Sequence, residues 1–99
     1  MFAVIYRWKL REEVSEGEFT RHWHDETQKI YLTYGSLGSC LHKVEDGTFL
    51  AYAKWPSRDN WENMMRQKEE SNGEHATLID GPICLETIDD LLRDTVHKI

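Results

Sequence analysis

Val44-Glu45-Asp46-Gly47-Thr48-Phe49-Leu50-Ala51-Tyr52-Ala53-Lys54-Trp55-Pro56-Ser57 reads as a hairpin turn, an apolar strand and a capped helix start without a break. Asp46 and Gly47 tolerate positive φ, so a two-residue turn is expected there, with antiparallel strands on either side. Pro56 cannot donate to a strand ladder and ends it. The Ser57 hydroxyl can accept from the free amides of a following helix. The middle of the fold is therefore strand, strand, helix.

Working outward, residues 2–10 place Phe2, Val4, Tyr6 and Trp8 on one side of a strand and Ala3, Ile5, Arg7 and Lys9 on the other. Ser15 and Glu18 have capping-box spacing, and Phe19, Trp23, Thr27, Ile30, Tyr31 and Tyr34 recur at helical intervals until Gly35. Residues 36–45 alternate as a second strand, and residues 48–55 form the third. A second helix is expected from Ser57 to about Ser71, with Trp61, Met64, Met65 and Lys68 on one stripe and Asn72-Gly73 as its exit. A loop or helical turn over residues 74–80 then leads to a last strand, residues 83–88.

The order is βαββαβ, an α+β ferredoxin-like pattern in which two helices cover one face of a four-stranded antiparallel sheet. With 99 residues the chain is read as one domain, residues 1–99. The second and last strands fall at opposite edges, which keeps Cys40 and Cys84 too far apart for a disulfide. Phe2, Val4, Tyr6 and Trp8 are too apolar for a solvated sheet face. They are expected to be covered by a second copy, giving a homodimer packed sheet to sheet through the open face.

The composition is 39% hydrophobic and 30% charged, with a net charge of −6, which makes a nucleic acid or an anionic membrane a poor partner. Without an N-terminal secretory pattern or a long apolar run, the two cysteines are read as free thiols and the protein as cytoplasmic.

Ala3-Val4-Ile5-Tyr6-Arg7-Trp8, Tyr34-Gly35-Ser36-Leu37-Gly38-Ser39 and Ala51-Tyr52-Ala53-Lys54-Trp55-Pro56-Ser57 together resemble the antibiotic biosynthesis monooxygenase family of dimeric α+β barrels, over roughly residues 2–90. The resemblance implies a homodimer with a pocket between helices and sheet. Some relatives oxygenate polycyclic phenols or quinols without metal or flavin, others degrade haem, and others have no assigned activity. The haem-degrading branch depends on an Asn in the first strand and a Trp and a His on and after the second helix. Along this chain those positions fall on Arg7, on Met64 and at or near His75, so one of three is kept.

Cofactor-independent oxygenation needs aromatic walls, a group that holds a phenolate, and a base. Arg7, placed on the helix-facing side of the first strand by the resemblance, would be the cation, and His22 or His75 the proton acceptor. Trp23, Trp61, Met64 and Met65 would be the substrate-binding walls. Each has a plainer reading. Tryptophans and methionines on buried helical stripes are more often core, and Arg7 could pair with a carboxylate such as Glu86. A histidine in the acidic run ending at His75 is by default exposed.

His22-Trp23-His24-Asp25-Glu26 is dense in metal-ligating residues, but only His22 and Glu26 share a helix face, so no metal is expected there; that no cofactor takes part is what the resemblance implies. The function read from the sequence is oxygenation of a small phenol- or quinol-type molecule. The alternative is a non-catalytic homodimer that binds a small ligand or acts as a scaffold.

Overall fold

The structure, a computed structural model, describes residues 1–68 and 75–92. Its elements are β1 (Phe2–Leu10), α1 (Glu16–Tyr34), β2 (Gly38–Lys43), β3 (Phe49–Trp55), α2 (Arg58–Gln67), β4 (Ala76–Leu78) and β5 (Ile83–Glu86). The antiparallel sheet runs β2-β3-β1-β4, and β5 also pairs with β1. This is the ferredoxin-like arrangement, with the place of the fourth strand shared by two short ones. β4 pairs with Trp8, Lys9 and Leu10, while β5 pairs with residues Phe2 to Ile5. Between them lie Asp80, at φ 47°, and the cis Gly81-Pro82 peptide. Residues 76–78, expected to be loop or helical turn, are therefore strand: β1 offers a free edge there, and tertiary pairing overrides weak local preference.

The sequence signals at the helix starts act as expected. Ser15 Oγ accepts from the Glu18 amide and the Glu18 carboxylate accepts from the Ser15 amide, completing the capping box of α1. Gly35, at φ 79°, closes α1 in a left-handed conformation. Ser57 caps α2 by accepting from the Asn60 amide. The Asn72-Gly73 exit and residues 69–71 of the expected helix lie outside the described residues.

The hairpin differs in detail. The Gly47 amide donates to the Val44 carbonyl at 2.9 Å and the Val44 amide to the Thr48 carbonyl at 2.8 Å, so the loop has three residues, 45–47. Only Gly47 takes positive φ, 90°. Asp46 instead accepts from the Thr48 amide at 2.9 Å and the Thr48 hydroxyl at 2.6 Å, a local alternative to left-handed backbone.

Sheet register decides which residues face the helices. Phe2, Val4, Tyr6 and Trp8 lie opposite Trp55, Ala53, Ala51 and Phe49, and these side chains share a core with Phe19 of α1 and Trp61 and Met64 of α2. The apolar side of β1 is thus covered by the chain's own helices, and a second copy is not needed to cover it. The helices cover the more apolar sheet face, because complete burial of a side chain such as Val4 or Phe2 contributes about 1.5–3 kcal/mol. The open face carries Ala3, Ile5 and Arg7 from β1, Leu50, Tyr52 and Lys54 from β3, and Ile83 and Leu85 from β5. Cys40 and Cys84 are free thiols on opposite edge strands.

Among the described residues no helix is long and apolar enough to cross a membrane.

Candidate functional site

A cavity of about 350 Å³ lies between the sheet and the helices. Its origin is in β3, where the helix-facing positions run Phe49, Ala51, Ala53, Trp55. The aromatic residues fill the two ends and the alanines leave the centre low. Tyr6, Trp8, Ala51, Ala53 and Trp55 form the floor. Tyr6 and Trp8 are stacked on each other at 5.6 Å with 9° between ring planes, so the floor is aromatic. Trp23, Thr27 and Ile30 of α1 and Met64 and Met65 of α2 form the roof, and Leu78 and Pro82 bound the β4–β5 side. Ser36, buried and accepting from the Gly38 amide, also reaches the wall.

The charged groups in this lining are Glu26 and Lys68. Lys68 Nζ donates to Glu26 Oε1 at 2.9 Å, with both side chains more than four-fifths buried, and Lys29 reaches Glu26 Oε2 at 3.3 Å. The indole N–H of Trp55 is buried without an acceptor among the described residues. The lining is thus apolar and aromatic with one ion pair, a combination that suits a flat, largely apolar ligand bearing a polar substituent.

The structure brings together Trp23, Met64 and Met65, all expected as walls. Trp61 does not line the cavity: it packs against Phe2 at 5.6 Å and its indole Nε1 donates to the Tyr6 hydroxyl at 2.9 Å, which places it beside the cavity, between α2 and the sheet. Core packing accounts for it. Arg7 does not reach the cavity, because strand alternation puts it on the open face opposite Leu50. Because side chains alternate along a strand, a position one residue away faces the other side of the sheet. Nor does Arg7 face Glu86, which pairs with Phe2. Its charge instead helps hold the Asp46 carboxyl below its ordinary pKa, behind the larger effect of the Thr48 hydrogen bonds.

His22 and His75 are neighbours that sequence separation hides. Their rings stack at 4.2 Å with 15° between planes, and His75 is half-buried rather than exposed. The His75 carbonyl accepts from the Arg11 amide, extending the pairing of β1 with β4, which fixes the ring over α1. Neither histidine is among the residues lining the cavity. Among the described residues no group of three or more His, Cys, Asp or Glu side chains could hold a metal ion.

Sequence reading missed Lys68 and Glu26 as a pair in this site. The usable signal was a lysine on the apolar stripe of α2.

The chain matches no family model and no curated protein sequence. Among solved structures it is similar to the crystal structure of a point mutant of SnoaB, a cofactor-independent oxygenase from Streptomyces nogalater. The TM-score is 0.70 at 14% identity, over 93% of this chain and 97% of that one. At that identity the likeness establishes the shared α+β fold and leaves the chemistry to be argued from the site.

Proposed function

We propose that the protein binds a flat aromatic molecule of phenol or quinol type in the cavity above β3 and oxygenates it without a cofactor. The observation that carries this reading is the cavity itself: about 350 Å³, with Tyr6 and Trp8 in its floor and Trp23, Met64 and Met65 in its roof. The fold it shares with a cofactor-independent oxygenase supports the chemistry.

In such a reaction a phenolate supplies electrons to dioxygen. One oxygen atom enters the ring as a quinone carbonyl and the other leaves as water, with all four electrons coming from the substrate. The protein's part is to hold the oxyanion and the ring in an environment that excludes water. The decisive experiment is dioxygen uptake in the presence of a naphthol, with labelled dioxygen showing one oxygen atom in the quinone product. Uptake matched by quinone formation, and lost when Ala53→Leu fills the cavity, supports the reading; no uptake with any phenol or quinol tested defeats it.

A second reading is favoured by one observation. His22 and His75, the expected proton acceptors, stack on each other and are absent from the cavity lining. A non-catalytic binder of the same class of ligand would need no base. It would show ligand-dependent stabilisation with no dioxygen uptake.

The homodimer belongs to the same proposal, with its interface on the face that the helices leave open. Ile83 and Leu85 are exposed there beside the half-buried Ile5, Leu50 and Tyr52, and a second copy of this sheet face would cover them.

A further inference from the structure

One wall of the cavity carries hydroxyl groups. Thr27 of α1, Ser36 of the turn that follows it and Ser39 of β2 all line the space, where α1 meets β2. Local backbone puts the serines there. Gly35 and Gly38, at φ 79° and 115°, turn the chain from α1 into β2 within three residues and leave Ser36 buried between them. Ser39 is paired with Ala53, so it shares the helix-facing side of the sheet, and the short alanine does not cover it.

Ser36 is the most informative of the three. It is 7% exposed, and its Oγ accepts from the Gly38 amide at 3.0 Å. That bond occupies a lone pair and leaves the O–H as a donor. Among the described residues this O–H has no acceptor, and the Thr27 and Ser39 hydroxyls make no side-chain hydrogen bond. The turn accounts for the Ser36 oxygen but not for its proton. A buried donor left unpaired is costly, and proteins keep few of them. Alanine or valine at Thr27 and Ser39 would cover the same wall with no polar group to satisfy. Water can serve such groups while the cavity is open to solvent, but a ligand that displaces the water must supply an acceptor or leave the donor unpaired.

The geometry points to a hydroxyl wall that reads a neutral oxygen on the ligand. The Ser36 O–H donates to a ring carbonyl or to the oxygen of an un-ionised phenol, with Thr27 and Ser39 beside it. The oxygen-bearing edge of the ring then faces the α1–β2 side, and the oxygen-free edge lies toward Leu78 and Pro82 across the sheet. This rests on the reading that the cavity binds a flat aromatic molecule, and adds its orientation and the acceptor it must carry. No covalent bond forms or breaks.

The test compares 1-tetralone with tetralin, two molecules of one size that differ at the carbonyl, with Kd from calorimetry and the hydrocarbon measured by competition. Ser36→Ala is expected to weaken 1-tetralone about fivefold while tetralin stays within about twofold. A ratio of the two affinities unchanged by Ser36→Ala overturns the proposal and leaves the aromatic cavity standing. The double variant Thr27→Val/Ser39→Ala keeps Ser36 and its bond to Gly38, so it tests the donor even where Ser36→Ala does not fold. In it, bound 1-tetralone labelled at the carbonyl should show an infrared stretching frequency below its value in a hydrocarbon solvent, and a hydrocarbon-like frequency overturns the proposal.

With the donor shown, 1-naphthol against naphthalene, measured without dioxygen, separates the two sources of the oxygen. A matching loss for 1-naphthol in Ser36→Ala assigns a phenol oxygen as an acceptor too, and no loss restricts the wall to ring carbonyls. Failure of all four molecules to bind the wild-type protein removes both the hydroxyl wall and the cavity reading on which it rests.

Discussion

Trp61 on α2 donates its indole N–H to the hydroxyl of Tyr6 on β1 at 2.9 Å, so one hydrogen bond ties the second helix to the floor of the cavity. Trp61 is buried, and no water can replace Tyr6 as its acceptor at low cost. Tyr6→Phe keeps the ring and its stacking on Trp8 but leaves that donor unpaired. The expected loss is about 1–3 kcal/mol of folding stability, to be read from urea unfolding. A change within experimental error would mean that this hydrogen bond does not help hold α2 on the sheet.

The turn at residues 45–47 offers a backbone test free of packing effects. A Cβ added at Gly47 would meet nothing within 4 Å, so Gly47→Ala probes only the φ of 90°. We expect a destabilisation of about 1–2 kcal/mol, the cost of placing an L side chain in left-handed backbone, with Gly47→Asn milder. Equal stability of the alanine variant and the wild type would indicate a turn of another type.

Ala53 is the low point of the floor. Ala53→Leu should project into the cavity without displacing the backbone, abolishing aromatic ligand binding while changing stability by about 1 kcal/mol or less, because space already exists for the added atoms. Retained binding would place the ligand elsewhere. Arg7→Ala is the matched control. Its side chain lies across the sheet from the cavity, so ligand affinity is expected to stay at the wild-type value.

Lys54 on the open face is ion-paired with Asp90. The contact raises the lysine pKa above its ordinary value, and it lowers that of Asp90 below the usual carboxylate range. For Asp90 the contribution is present above the unfolded carboxylate pKa and is lost as pH falls through the depressed folded value. For Lys54 it is present below the unfolded lysine pKa and is lost as pH rises through the raised folded value. The segment carrying Asp90 should therefore dock across the neutral range and release at both extremes. The amide resonance of Leu92, which donates to Asp90, reports this by NMR; a shift insensitive to acid in wild type and Asp90→Asn alike would show the pair does not hold the segment.

The proposed dimer is exposed to one substitution. Ile83→Asp puts a charge on the open face without touching the cavity, and light scattering should then change from twice the chain mass of 11.7 kDa to that of a single chain. A wild-type protein that already scatters as one chain removes the dimer from the proposal.

The sequence by itself determined the element order from β1 to α2, both helix caps and the position of the hairpin, because each depends on residues within four of one another: Ser15 with Glu18, Ser57 with Asn60, Asp46 with Thr48; the strand at residues 76–78 depends on pairing with distant β1 and was not legible. It also supplied Trp23, Met64 and Met65 as walls, since helical periodicity marks the stripe that faces the sheet. Which face of the sheet the helices cover was not legible, because period-two alternation separates two faces without saying which is inside; the tertiary structure decided it, and with it moved Arg7 out of the site and Phe2, Val4, Tyr6 and Trp8 into the core. Tertiary structure alone also brought Lys68 to Glu26, 42 residues away along the chain, and His75 onto His22. Local hydrogen bonds and hydrophobic period are written in neighbouring residues, whereas a cavity and the charges at its wall arise only where distant segments pack.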